Sequence, residues 1–377
     1  MALLMAFRRW WAFVFVALLS LPALGLLVPN MPGPIRTVLA PDARWWEHAS
    51  ERLDPYINNA FGFRGPVLAA HRRYLRFIGS APGTRVLDGK DGSLFLRDDN
   101  ALEQSIGQLV RPQAVERLAQ LARELKDRMA AIGGTFVLTL APNAHTARFD
   151  MLPDYIREQR HQPSEYDLVA ARMKRDGIAF VDLRRFLAEA ATQGPIYYRY
   201  DTHWNARAAL AAFNAVMAAA GQPALAIPDS EAFGAPRIRK GGDLLTVAGI
   251  PGREPPDLEY VWKPPLAGPH ETTPLTGIVT APPPEKDDYG FHAFSTGHPG
   301  PRIMVVGDSF TQGFWYNPLV YRASAAVWIH HAACEFDQGI IDRFKPDILI
   351  YAPTERFLTC KNWSRTKLPA AAPPEGG

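Results

Sequence analysis

Cysteine is nearly missing from this chain of 377 residues, which holds only Cys334 and Cys360. Two cysteines with no metal-ligand spacing cannot furnish a structural zinc site, so no metal is expected. They allow a single pairing, which an oxidising compartment would favour, or they remain two buried thiols; both readings stay open. An excess of one charge is lacking too. The 41 basic and 38 acidic side chains leave a formal charge of +3, with no long basic run and no interleaved aromatic platform, so nucleic acid is not an expected partner. There is no G-x-x-x-x-G-K-[ST] phosphate cradle, so no nucleotide cofactor is implied, and there is no internal repeat. Hydrophobic residues at 47% and charged residues at 21% leave no room for wholesale disorder.

One long apolar run is present. In "MALLMAFRRWWAFVFVALLSLPALGLLVPN", Arg8 and Arg9 precede an uncharged stretch from Trp10 to Val28. As a helix it would reach roughly 28 Å, near the hydrocarbon thickness of a bilayer, and the two arginines favour a cytoplasmic N-terminus. A cleaved signal peptide competes, since Ala23-Leu24-Gly25 offers small residues for processing; the length of the run favours an uncleaved anchor. Residues 1–30 are therefore expected to anchor the chain in a membrane. Residues 31–362 would then form one domain outside the cytoplasm, and 363–377 ("LPAAAPPEGG" and the residues before it) a disordered tail.

Past the anchor, "TRVLDGKDGSLFLRDD" reads as two short strands joined through Asp-Gly steps suited to positive φ. Apolar residues Val115, Leu118, Leu121, Ala122, Leu125 and Met129 recur at helical spacing until Gly133-Gly134. The strand "TFVLTLAP" follows and empties into "NAHTARF". Helix, strand, helix and an alanine-rich helix come next, in "EYDLVAARMKRDG", "IAFVDL", "RRFLAEAAT" and "ARAALAAFNAVMAAAG". Residues 222–300 are a proline-rich excursion with short strands, expected on the outside, before "RIMVVGDSF", "AAVWIHH", "EFDQGIIDRF" and "PDILIYAP" restore the rhythm. The alternation predicts an α/β fold with a mostly parallel central sheet and helices on both faces.

Ser309 follows an apolar strand at a Gly-Asp-Ser turn, the carboxyl end of a strand, where open α/β sheets place their ligand crevices. A serine hydroxyl needs a base to become a nucleophile. His203 in "YYRYDTHWN" can take and return a proton near neutrality, and Asp201 can hold its Nδ1 so that Nε2 faces the hydroxyl. Either motif alone is an ordinary turn or helix cap; the pair is a candidate triad. Tyr197, Tyr198, Tyr200 and Trp204 flank it as pocket walls or as core.

With these residues in hand, the chain resembles the alginate O-acetyltransferase family, whose catalytic domain is SGNH-hydrolase-like. Classical SGNH enzymes put the Gly-Asp-Ser block first and the Asp-His block last; here Asp201 and His203 precede Ser309, the permuted order of that family. "GKDGSLFL" (89–96), "FGFR" (61–64) and "GGDLLTVAGIP" (241–251) are similar to further family motifs, and the resemblance spans about residues 50–360. It implies Ser309 as nucleophile, His203 as base, Asp201 as its orienting partner, and a Ser309 N–H in the oxyanion hole. Asn143 in "APNAHTARF" is a second candidate oxyanion donor, or else an Asx-turn residue. The family loop commonly reads Pro-Asn-Lys, and Ala144 stands in place of that lysine. Tyr351 and Arg356 in "YAPTERFL" are candidates to touch substrate, with a Glu355–Arg356 ion pair as the structural alternative. The implied partners are a multi-spanning membrane O-acyltransferase as acetyl donor and an exported polysaccharide as acceptor. A carbohydrate esterase using the same residues, and a glycan-binding subunit with a dead site, are the competing functions.

Overall fold

A computed structural model describes residues 10–17, 20, 85–250, 254–264, 266, 271–279 and 290–358. The chain divides into two compact units, residues 1–84 and 85–377. In the first, residues 10–17 are helical and exposed. Among the described residues no helix is long and apolar enough to cross a membrane. Most of the expected anchor, the "FGFR" motif, Cys360 and the tail lie outside the described residues.

The second unit opens with a hairpin of β1 (Val86–Asp88) and β2 (Leu94–Leu96), in register Val86↔Leu96. Of the two glycines in its turn, only Gly92 takes positive φ, at 72°, while Gly89 is extended with φ −98°. Helix α1 (Pro112–Ala131) begins on proline, whose missing N–H costs nothing at a helix start. Its buried stripe is the one the spacing predicts. Strand β3 (Thr135–Thr139), helix α2 (Glu165–Arg175), the two-residue β4 (Phe180–Val181), α3 (Leu183–Ala191) and α4 (Ala206–Ala219) follow. Each of these three helices is capped from the sequence: Ser164 with Asp167 in a capping box, Asp182, and Asn205.

The proline-rich stretch contributes β5 (Arg237–Arg239), α5 (Asp243–Ala248), β6 (Asp257–Glu259), β7 (Thr273–Pro274) and β8 (His292–Ser295). Strand β9 (Arg302–Gly307), the single turn α6 (Ser309–Gln312), α7 (Tyr316–Arg322), β10 (Ala325–His330), α8 (Gly339–Phe344) and β11 (Ile348–Ala352) complete the unit.

Seven strands form one sheet in the order β4-β3-β11-β9-β10-β8-β7. The first five run parallel. Strand β8 is antiparallel to β10 and to β7, so the sheet is mixed at that end and mostly parallel, as the alternation predicts. The excursion is thus not wholly outside the sheet. Phe294 of β8 is buried opposite Ala326, and that burial draws the segment onto the edge. Pro274 sits on the outermost strand, the place where a missing N–H is tolerated.

The strands alternate between two cores. Ile303, Val305, Ile350 and Ala352 face one, with Leu210 and Phe213 of α4 and Leu319 of α7. Met304, Val306, Leu349 and Tyr351 face the other, with Leu118 and Leu125 of α1, Val169 of α2 and Ile341 of α8. Helices therefore cover both faces. A smaller third cluster joins Val86 and Leu94 of the hairpin to Tyr200 and to Leu244, Leu245 and Ala248 of α5.

Candidate functional site

Three crossing segments meet at the carboxyl ends of β3, β9 and β11. Strand β9 is a buried apolar run, and at its end Asp308 caps α6, accepting from the Phe310 N–H at 3.0 Å. The other Asp308 oxygen accepts from the Thr354 N–H at 2.7 Å, tying the turn to the segment after β11. Ser309 is the first residue of α6. Its N–H belongs to a first helical turn, where amides lack an intrahelical acceptor.

The loop carrying Asp201 and His203 is closed by a Tyr197↔Trp204 bridge. It is pinned to the serine turn by Trp204, whose Nε1–H donates to the Phe310 carbonyl at 2.8 Å. Tyr197, Tyr198, Tyr200 and Trp204 are all buried, so they pack the loop and do not wall a cavity. Phe310 lies against the His203 ring with centroids 5.0 Å apart.

His203 Nε2 stands 2.8 Å from Ser309 Oγ, and His203 Nδ1 stands 2.7 Å from Asp201 Oδ1. With Nδ1–H donated to Asp201, Nε2 is left to accept from the serine hydroxyl, the tautomer that proton abstraction requires. The His203 N–H also donates to Asp201 Oδ1, at 3.1 Å. Asp201 is buried, whereas the His203 side chain is 23% exposed and can be reached. Burial alone would push the Asp201 carboxyl up. The hydrogen bond and charge of His203, with the charge of Arg239, outweigh it and hold Asp201 well below the usual carboxylate range.

Two further residues of this site have no role assigned from the sequence, although Asp243 lies in the "GGDLLTVAGIP" motif. Arg239 of β5 donates through Nη2 to Asp201 Oδ2 at 2.7 Å, with its guanidinium 3.9 Å above the Tyr198 ring. Asp243 at the start of α5 accepts from the Thr202 N–H at 2.8 Å and from the Thr202 hydroxyl, and its Oδ2 lies 3.6 Å from His203 Nδ1. Burial and the Asp201 charge push the Asp243 carboxyl up. Asp201, His203 and Asp243 come within 4.8 Å of one another, a spacing a cation could bridge. However, Asp201 already faces Arg239 and the histidine, and Asp243 holds Thr202, so the donor set is committed to the protein's own groups.

Beside this line lies a small open cleft, lined by Asn143, His145, Thr202, Leu244 and Arg356 among others. Asn143 is not poised as an oxyanion donor. Its Nδ2 donates to Ser105 Oγ at 3.1 Å and faces the Ala101 carbonyl at 3.4 Å, so its amide is committed to the helical turn Ala101–Ser105. Arg356 does reach the cleft, with its guanidinium 5.3 Å from the Phe310 ring centre, and makes no ion pair among the described residues. The expected Glu355–Arg356 pair is absent. Glu355 points inward to the Asn143 N–H at 2.8 Å, and burial pushes its carboxyl up to about 7.

Tyr351 does not approach substrate. It is 1% exposed, on the face of β11 opposite Ile350 and Ala352, and its hydroxyl meets Cys334 Sγ at 3.1 Å. Cys334 is disulfide-bonded. His145 is a further buried cleft residue that the sequence reading passed over. Burial, then the charge of Arg148, push its imidazole down to about 3, so it is neutral.

Residues 86–320 match the family model described as "SGNH hydrolase-like domain, acetyltransferase AlgX". No curated protein matches the chain significantly. Among solved structures, a DHHW family protein from Eubacterium siraeum is similar at 14% identity and a TM-score of 0.50, over 74% of this chain and 98% of its own, a likeness of fold. The O-acetyltransferase domain of Pseudomonas putida AlgJ is 19% identical, with a TM-score of 0.45 over 73% of this chain and 92% of its own. Pseudomonas aeruginosa AlgX is 16% identical, with a TM-score of 0.46 over 74% of this chain and 65% of its own.

Proposed function

Because the chain belongs to the AlgX acetyltransferase family of SGNH hydrolase-like domains, we propose that it carries an acetyl group on Ser309 and passes it to hydroxyls of an exported polysaccharide. The observation that carries this reading is the hydrogen-bonded line from Asp201 through His203 to Ser309. In the first half-reaction Ser309 Oγ attacks the acetyl carbonyl of the donor while His203 Nε2 takes the hydroxyl proton. As the tetrahedral intermediate collapses, the bond to the donor's leaving group breaks and His203 returns the proton to it. In the second, a sugar hydroxyl attacks the acetyl-serine carbonyl and gives its proton to His203, which hands it back to Ser309. Asp201 orients the ring and stabilises the imidazolium in both. The Ser309 N–H is the oxyanion donor best supported, being a first-turn amide beside the attacked carbon.

The apolar run behind Arg8 and Arg9 supports an inner-membrane anchor with the catalytic unit in the periplasm. That location calls for an acetyl donor delivered across the membrane, the role of a multi-spanning acyltransferase partner.

Incubation of the full-length chain with para-nitrophenyl acetate, with and without a sugar oligomer, tests the reaction. Acetylated oligomer is expected. Release of acetate alone, unchanged by the oligomer, would make the chain a carbohydrate esterase. Ser309→Ala is expected to lower activity by at least about a thousandfold and to abolish a mass shift of one acetyl group on the trapped enzyme. Full activity in that variant would return the chain to the glycan-binding reading.

A further inference from the structure

The excursion between the histidine block and the serine block carries the two charged groups closest to the Asp201–His203 pair, one of each sign. Arg239 reaches Asp201 Oδ2 at 2.7 Å from β5, and Asp243 reaches to 3.6 Å from His203 Nδ1 from the start of α5. The two are also joined through the main chain, because the Asp243 N–H points at Asp201 Oδ2 at 3.3 Å. We propose that Arg239 and Asp243 are positioning residues acting as an opposed pair, Arg239 restraining and Asp243 assisting the protonation of His203 during acyl transfer. This inference rests on the reading of Ser309 as nucleophile and His203 as its base.

The geometry assigns each residue a separate task. Asp201 has two oxygens, and rotation of its carboxylate would exchange them. Arg239 occupies Oδ2, so Oδ1 stays with Nδ1 and with the His203 N–H. Arg239 is itself stacked on Tyr198, a buried residue of the same loop, which fixes the guanidinium plane. Asp243 clamps Thr202, the residue between Asp201 and His203, by both its N–H and its hydroxyl. Thr202 Oγ1 lies 3.2 Å from His203 Nδ1, so the clamp also decides what that hydroxyl offers the ring.

The charges oppose one another. A guanidinium against Asp201 draws on the negative charge that would stabilise an imidazolium, whereas the Asp243 carboxylate adds to it. The other groups facing His203 are Ser309 and the rings of Phe310 and Phe314, all neutral, with the Arg356 guanidinium beyond at 5.3 Å from the Phe310 ring centre. Behind Arg239, on the paired strand β6, stand the carboxyls of Asp257, directly across from it, and Glu259; both act on the guanidinium and on Tyr198 rather than on the imidazole.

The acidic limb of kcat/KM reports protonation of the free enzyme's base, which gives the pair a readout that a scaffold role would not move. The full-length chain is assayed with para-nitrophenyl acetate across pH as wild type, Arg239→Gln, Arg239→Lys, Asp243→Asn and Ser309→Ala. Arg239→Gln is expected to move the limb upward by about half to one pH unit, and Asp243→Asn to move it downward by a similar amount. Both should lower kcat by roughly 10- to 100-fold with KM little changed, as loss of an outer partner of a site residue does. Arg239→Lys keeps the charge and should leave the limb where the wild type has it. Asparagine at 243 can accept from the Thr202 N–H and donate to its hydroxyl, so that variant keeps both contacts, the hydroxyl bond reversed, while losing the charge. Asp243→Glu, which keeps the charge, is run beside it and should leave the limb in place. Limbs that coincide with wild type in Arg239→Gln and Asp243→Asn, or that move the same way, overturn the inference while Ser309→Ala remains inactive. Activity surviving in Ser309→Ala overturns the reading beneath it instead.

Discussion

Glu355 shows how a single buried carboxyl connects stability to the site. Its Oε2 accepts from the Asn143 N–H, and its backbone carbonyl accepts from Gln104 at 2.7 Å, so it holds the loop after β3 against the segment after β11. Burial raises its pKa from 4.5 to about 7. Between those values the folded chain keeps a proton that the unfolded chain has lost, so this contribution is whole below about pH 4.5 and gone above about pH 7. His145 runs the other way. Its folded pKa near 3 means stability is lost as pH falls from 6.5. In urea titrations, Glu355→Gln should gain on wild type by roughly 1–3 kcal/mol as pH rises through that window, with no relative change above it. A difference that does not vary with pH would show that Glu355 is ionised when buried. The residue scale is also where the sequence is most deceptive. Tyr351 sits in the same short stretch as Arg356, yet the strand's alternation sends Tyr351 to the core opposite the site.

At the scale of elements, the motif around α5 is held to the Asp201 loop by close backbone approach. The Leu244 N–H donates to the Tyr200 carbonyl at 3.1 Å, and the hairpin closes the other side through Leu94 N–H to the Arg199 carbonyl at 2.7 Å. Gly242 lies flat against Tyr200. A Cβ there would stand 2.5 Å from the Tyr200 carbonyl carbon, although its φ of 175° is open to any residue. Gly242→Ala should therefore cost about 1–3 kcal/mol by overpacking and lower kcat by displacing Asp243 from Thr202, read by thermal unfolding beside the ester assay. Unaltered unfolding and unaltered rate would show that the loop yields freely. Elements were read from the sequence with uneven success. The helices α1 to α4 stand where the sequence places them, and the stripes and caps that fix them are local. The place of strand β8 in the central sheet was hidden, because what recruits it is β10, some thirty residues later in the chain.

For the molecule as a whole, the proposed topology makes a physical demand: an anchor of about 28 Å must hold the chain after salt and alkali have stripped peripheral proteins. Alkaline carbonate extraction of cell membranes should leave the full-length chain in the pellet. Protease added to spheroplasts should digest it, while intact cells protect it. Full-length protein in the soluble fraction, or protection in spheroplasts, would overturn the anchor or its orientation.

The sequence by itself determined the α/β alternation and the places of the main helices, because these follow from local periodicity, and residue chemistry offered Asp201, His203 and Ser309 as candidates. Tertiary structure alone decided the rest. Arg239 and Asp243 lie 38 and 42 positions beyond Asp201 and meet it only when β5 and α5 fold back on the loop. Asn143 was an oxyanion candidate until the packed turn at Ala101–Ser105 took its amide. Arg356 was a possible ion-pair partner until Glu355 turned inward and left it beside the cleft. Local sequence sets what a side chain can do. Which partner it meets is set by contacts between distant segments, and no period or spacing along the chain encodes those.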